Sequence, residues 1–130
     1  MPVAYLCILI AALLPYLWVA IAKASGQRYD NRDPRGWLAK QDNPRVHRAY
    51  SAQLNAFEAF APFAAAVLMA QFAGVDADWI ALLSVTFVLV RIVHGIFYLG
   101  NRALWRSVIW ATGLLCVFVL MAMAIYNTAA

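Results

Sequence analysis

The chain has 130 residues, 65% of them hydrophobic and 12% charged, with a formal net charge of +4. That length suits one domain, and so apolar a composition lies outside the range of soluble globular proteins, which excludes a soluble domain. Four apolar runs each approach the roughly 20 residues that a helix needs to cross ~30 Å of hydrocarbon. The chain therefore reads as an all-α integral membrane four-helix bundle, antiparallel and up-down, with spans over about 3–22, 52–75, 79–99 and 105–126.

The first run ends in "VAIA" ahead of Lys23, a pattern that a cleaved signal peptide would also show. No basic residue precedes it and its apolar stretch exceeds the 7 to 15 residues of a signal core, so a span is the better reading. Pro15 within it is tolerable where neighbouring helices satisfy the freed carbonyl. The connection that follows, "KASGQRYDNRDPRGWLAKQDNP", is polar and rich in turn residues, and is expected to run irregularly over the membrane surface. Asn43 followed by Pro44 marks a helix start, with proline at the first helical position. The second helix should thus begin near Pro44 and carry the extension "RVHRAYSAQLN" into its apolar run from Ala56.

"GVDADWI" forms a tight connection to the third helix, with Trp79 as an interfacial anchor, and Trp105 and Trp110 supply the matching belt at the other side. "GNRALWR" is short enough to make the third and fourth helices antiparallel neighbours. Seven of the ten basic residues lie between the first two spans, and Arg102 and Arg106 lie between the last two. The positive-inside rule then puts the first and third loops in the cytoplasm and both termini outside. Interspersed Asp30, Asp33 and Asp42 and the lack of a soluble fold argue against nucleic-acid binding, and the basic loop reads as topology and contact with anionic lipid headgroups. Cys7 and Cys116 fall within apolar spans and read as buried free thiols. No Cys/His cluster has metal-ligand spacing and no glycine-rich phosphate loop is present.

Polar residues break the apolar pattern at one level. Arg48, Ser51, Asn55, Glu58 and Pro62 recur at intervals of three and four, one stripe of the second helix. Arg91, His94 and Tyr98 share a face of the third, and Arg106 and Ser107 open the fourth. Given the topology, all three groups meet near the cytoplasmic interface. A charge inside a span costs about 2.5–3.5 kcal/mol and is normally turned toward protein and paired, which makes Glu58 and Arg91 natural partners. They could serve packing alone. The shared cluster instead suits a small zwitterion with several carboxylates, such as a peptide, whose amine would meet the carboxylate and whose acids would meet guanidiniums. With neither a Cys-His pair nor an obvious Ser-His-Asp set, covalent hydrolysis is poorly supported.

"RVHRAYSAQLNAFEAFAPF" resembles the second-helix motif of the MAPEG family, membrane-associated proteins of eicosanoid and glutathione metabolism, with its Asn-x-x-Glu and a Pro four residues after the Glu. "RIVHGIFYLGNRALWRS" resembles the Arg-x-x-His-x-x-x-Tyr-Leu-Gly segment and following Arg-Ser of the prostaglandin E synthase branch, and "YDNRDPRGWLA" is similar to bacterial members. The resemblance implies a homotrimer binding glutathione between subunits near the cytoplasmic face. Asn55 and Glu58 would hold the glutathione amino end, Arg48, Arg91, His94 and Tyr98 would line the pocket, and Arg106 with Ser107 would stand at the sulfur as the catalytic pair. The family's synthases usually have an arginine where this chain has Ser51, and the prostaglandin branch has another where it has Leu54; Arg28, Arg32 or Arg35 of the first loop could substitute.

Three functions follow as expectations. The first is a glutathione-dependent transferase or peroxidase of the bacterial inner membrane, acting on a lipophilic small-molecule electrophile delivered by the membrane lipids. The second is a non-catalytic trimeric scaffold or lipid-binding protein. The third, a small proton-coupled multidrug exporter, fits the size, but such exporters carry their essential Glu in the first helix, and here no charge precedes Lys23.

Overall fold

A computed structural model describes residues 2–130. It contains four long helices, α1 (Pro2–Ser25), α3 (Pro44–Phe72), α4 (Ala77–Leu99) and α5 (Ala103–Ala129), and one short helix, α2 (Pro34–Ala39). Each long helix is long and apolar enough to cross a membrane. α3 and α4 pack on each other and each also touches α1 and α5, which leaves α1 and α5 at opposite corners of the bundle.

The helix ends follow local chemistry. Asn43 caps α3 by accepting a hydrogen bond from the Arg45 amide, with Pro44 in the first turn as the sequence predicts. α3 stops at Gly74, whose φ of 73° suits a residue without a Cβ. There the Val75 amide donates to the Ala70 carbonyl and the Gly74 amide to Gln71, closing a Schellman motif. Asn101 ends α4 in the same way, with φ 56°, and the Arg102 amide donates to Phe97. Two such tight stops, with Asp76 capping the start of α4, force α3, α4 and α5 into antiparallel succession.

The packing is that of a bundle in lipid. Ala4, Cys7 and Ala11 of α1 face the core, while Leu6, Leu9, Leu13 and Leu17 face outward. Small residues let helices approach where no hydrophobic force drives them together, and lipid tails solvate leucine as well as protein does. Between α3 and α4 the rings of Phe63 and Phe87 stack at 4.0 Å. Both cysteines are buried and unpaired.

The connection between α1 and α3 departs from the irregular path expected of it. α2 forms within it, capped by Asp33, which accepts from the Gly36 amide and precedes Pro34 in the same Asx-Pro pattern that starts α3. Trp37 is buried with Ala22, Val46 and Ala49, and its indole Nε1 donates to the Arg28 carbonyl. Buried Gln41 ties the turn together: its Nε2 donates to the Trp37 carbonyl and its Oε1 accepts from the Gln27 amide. Trp37, with the Tyr29 ring edge-to-face at 5.2 Å and Leu38 packed beside the cluster, supplies the burial that turn chemistry alone does not.

One close approach fixes α1 against α4. Trp18 is buried on the Gly95 backbone, where an added Cβ would overlap the indole ring. Gly95→Ala is therefore expected to cost about 1–3 kcal/mol of overpacking, more than the ~1 kcal/mol that alanine gains in helix propensity. A lower melting temperature of the purified protein would show this, and an unchanged one would contradict it.

Candidate functional site

Each helix places its polar residues where α3, α4 and α5 converge, toward the end of the bundle that carries the α1–α3 and α4–α5 connections. Arg91 and His94 come from α4 and are almost fully enclosed, at 4% and 2% exposure. Arg91 Nη2 donates to Asn55 Oδ1 of α3 at 2.8 Å. The His94 ring meets the edge of Tyr98 with centroids 5.7 Å apart, and the Arg106 guanidinium of α5 lies over the Tyr98 ring at 4.3 Å. Such a cation–π contact contributes about 0.5–2 kcal/mol and holds the guanidinium flat against the phenol.

Two adjoining cavities open on this cluster. The outer one, about 230 Å³, is lined by Asn55, His94, Tyr98, Arg106, Ser107 and Trp110. The inner one, about 140 Å³, lies against Asn55, Glu58, Arg91 and Trp110 and continues among apolar side chains. Asn55 and Trp110 belong to both, so the two form a single cleft.

The structure thus gathers seven of the eight residues singled out in the sequence: Asn55, Glu58, Arg91, His94, Tyr98, Arg106 and Ser107. Arg48 lies elsewhere. It is half-buried, and its Nε donates to the Leu99 carbonyl at the end of α4, where it satisfies an orphan acceptor of that helix.

The expected ion pair between Glu58 and Arg91 does not form. Among the described residues the one salt bridge joins Arg32 to Asp30 on the surface. Arg91 takes the Asn55 amide oxygen instead, and Glu58, about 4.5 Å further along the same stripe by helix rise, is left on the cavity wall without a cation partner among the described residues. The physical reason is register: the guanidinium reaches the polar group at its own level on the facing helix.

Sequence reasoning assigned Trp110 to an interfacial belt, yet it lines both cavities. The signal was its spacing, since Arg106, Trp110, Gly113 and Val117 recur at intervals of four, three and four on α5. Trp110 is nevertheless exposed along with Trp79 and Trp105, as belt residues are, and borders the cleft from that position.

A sequence profile of the MAPEG family matches residues 3–126. The chain belongs to the MAPEG family. No individual curated protein matches it significantly. MAPEG proteins are membrane trimers that generally use glutathione as a substrate or cofactor. Membership and the four apolar helices make this MAPEG protein an integral membrane protein in contact with lipid, with a glutathione-related or allied function.

Proposed function

We propose that this MAPEG protein is a glutathione-dependent transferase or peroxidase of the bacterial inner membrane, active as a homotrimer on lipophilic electrophiles. The observation that carries the reading is the cleft in which Asn55, His94, Tyr98, Arg106 and Ser107 surround one cavity, with Glu58 and Arg91 on the cavity beside it. Glutathione would lie along it, its amino end toward Asn55 and Glu58 and its sulfur toward Arg106 and Ser107. A guanidinium beside the sulfur favours thiolate over thiol, and the thiolate is the nucleophile. With a halonitroarene the thiolate sulfur bonds to the ring carbon, halide leaves, and the thiol proton passes to solvent. The basic connections are taken as cytoplasmic, with both termini outside.

Calorimetric titration of glutathione into the purified protein tests this reading, together with turnover of a halonitroarene and of a lipid hydroperoxide. Binding and turnover are expected; absence of both rejects the proposal.

A second reading, a non-catalytic trimeric scaffold, draws on two observations. Ser51 and Leu54 stand at positions where the resemblance expects arginines, and Arg48 is committed to the Leu99 carbonyl. This reading requires Glu58→Gln and Arg91→Leu to lower the melting temperature without altering any thiol chemistry.

A further inference from the structure

Of the residues singled out in the sequence, Arg48 alone lines neither cavity of the cleft, yet it is tied to the cleft through the backbone. Its Nε donates at 3.2 Å to the carbonyl of Leu99, the last residue of α4. The turn itself leaves that carbonyl free: the amides of Gly100, Asn101 and Arg102 donate to Ile96, Tyr98 and Phe97. A helix ends with carbonyls that have no partner of their own, and here a side chain from the neighbouring helix supplies one.

The turn that Arg48 grips carries Arg106. Tyr98 directly precedes Leu99 and holds the Arg106 guanidinium over its ring at 4.3 Å. Gly100, Asn101 and Arg102 are all that separates α4 from α5, and Asn101 has a φ of 56°. At the start of α5, Arg102 makes no side-chain capping bond. Among the described residues, Arg48 is the side chain that hydrogen-bonds this turn. The direction in which α5 leaves the turn, and with it the place of Arg106 in the cleft, therefore depends on how Arg48 holds the end of α4.

We infer that Arg48 is a positioning residue for Arg106: through the Leu99 carbonyl it sets the α4–α5 turn so that the Arg106 guanidinium stands at the reacting sulfur. The inference rests on the glutathione-dependent reading of the cleft, and it replaces the ligand-lining role that the resemblance implies for Arg48. An arginine that gripped a glutathione carboxylate would act on affinity. One that sets the place of another cation acts on the ionisation of the bound thiol, because the distance from charge to sulfur governs how far thiolate is favoured. Small displacements suffice, since a shift of about 1 Å at a reacting group can cost about 10²-fold in rate. A single N–H does the holding, so bond and charge can be separated. Glutamine carries its amide nitrogen at the same point along the side chain as Nε of arginine, without the charge.

The test compares the full-length parent protein with Arg48→Met and Arg48→Gln. Glutathione affinity is measured by calorimetry, the thiolate by its ultraviolet absorbance without acceptor, and kcat for a halonitroarene across pH at saturating glutathione. Arg48→Met is expected to lower kcat at neutral pH by about 10- to 100-fold. The rising limb of its pH profile should move up toward the ~8.5 of a free thiol, with glutathione affinity unchanged. Arg48→Gln should restore the parent profile. Should Arg48→Met melt as an unfolded protein, Arg48→Ser, polar and too short to reach Leu99, takes its place. Lost affinity with an unmoved profile would make Arg48 a ligand and overturns the inference. So does a loss of turnover that is uniform across pH, the mark of a merely structural residue, or a glutamine variant as impaired as the methionine one, which would make the charge the active feature. A parent that binds no glutathione removes the catalytic reading and this role together, whereas an active parent with unaltered variants removes this role alone.

Discussion

Arg106→Ala is expected to lower glutathione-dependent turnover by on the order of 10²–10³, the usual loss when a charge-stabilising group at a reacting atom is removed. Folding should be little affected. Arg106 is only half-buried, and its guanidinium rests on the Tyr98 ring, a contact worth about 0.5–2 kcal/mol. The informative comparison sets turnover beside glutathione affinity. A thiolate-stabilising arginine shows itself mainly in kcat at saturating glutathione, and raising the pH should recover part of the loss as solvent deprotonates the thiol. Equal turnover in the variant and the parent would contradict the role given to Arg106. A collapse in melting temperature would show instead that the arginine holds α5 to α4.

The largest stability effect is expected at Asn55. It provides the one side-chain hydrogen bond of an almost fully enclosed guanidinium, and a hydrogen bond to a charged group contributes more than a neutral one. Asn55→Leu should cost about 2–3 kcal/mol, because Arg91 keeps its charge and loses its acceptor. Removing both groups in Asn55→Leu/Arg91→Leu should restore much of that, since an apolar pair of suitable shape leaves no buried charge behind. Thermal denaturation of the single and double variants reads out the difference, and a double variant no better than the single would refute the coupling. Glu58→Gln makes a useful contrast. The carboxylate has no cation partner among the described residues, so its replacement should leave the melting temperature of the ligand-free protein unchanged or raised while abolishing glutathione binding. A fall in melting temperature would favour the scaffold reading and a Glu58 contact across a subunit boundary.

Much of the cleft was legible along the chain because helical spacing turns sequence intervals into faces. Arg91, His94 and Tyr98 had to share one side of α4, and Asn55 and Glu58 one side of α3, once those segments were read as helices. The motif shared with the MAPEG family selected the same residues independently of spacing, and the family profile spans residues 3–126. Asn43 and Pro44 announced the start of α3 for a local reason, since capping involves only the next few amides. The same logic applied to Asp33 and Pro34 would have revealed α2. It was obscured because the surrounding loop is polar, and the burial of Trp37 that stabilises the turn comes from α1 and α3.

What the sequence alone determined is the number of apolar helices, their order, and the level at which charge interrupts them. These depend on composition within contiguous runs and on a helical repeat that every residue of a run obeys. The tertiary structure decided which groups touch. Arg91 meets Asn55 and not Glu58, Arg48 serves the end of α4, exposed Trp110 borders the cleft, and the inner cavity continues among apolar side chains. Each outcome depends on the rotation and register of one helix against another, and those are set by close approaches such as that of Trp18 on Gly95. Helix spacing fixes what shares a face, and packing between distant segments fixes what that face meets.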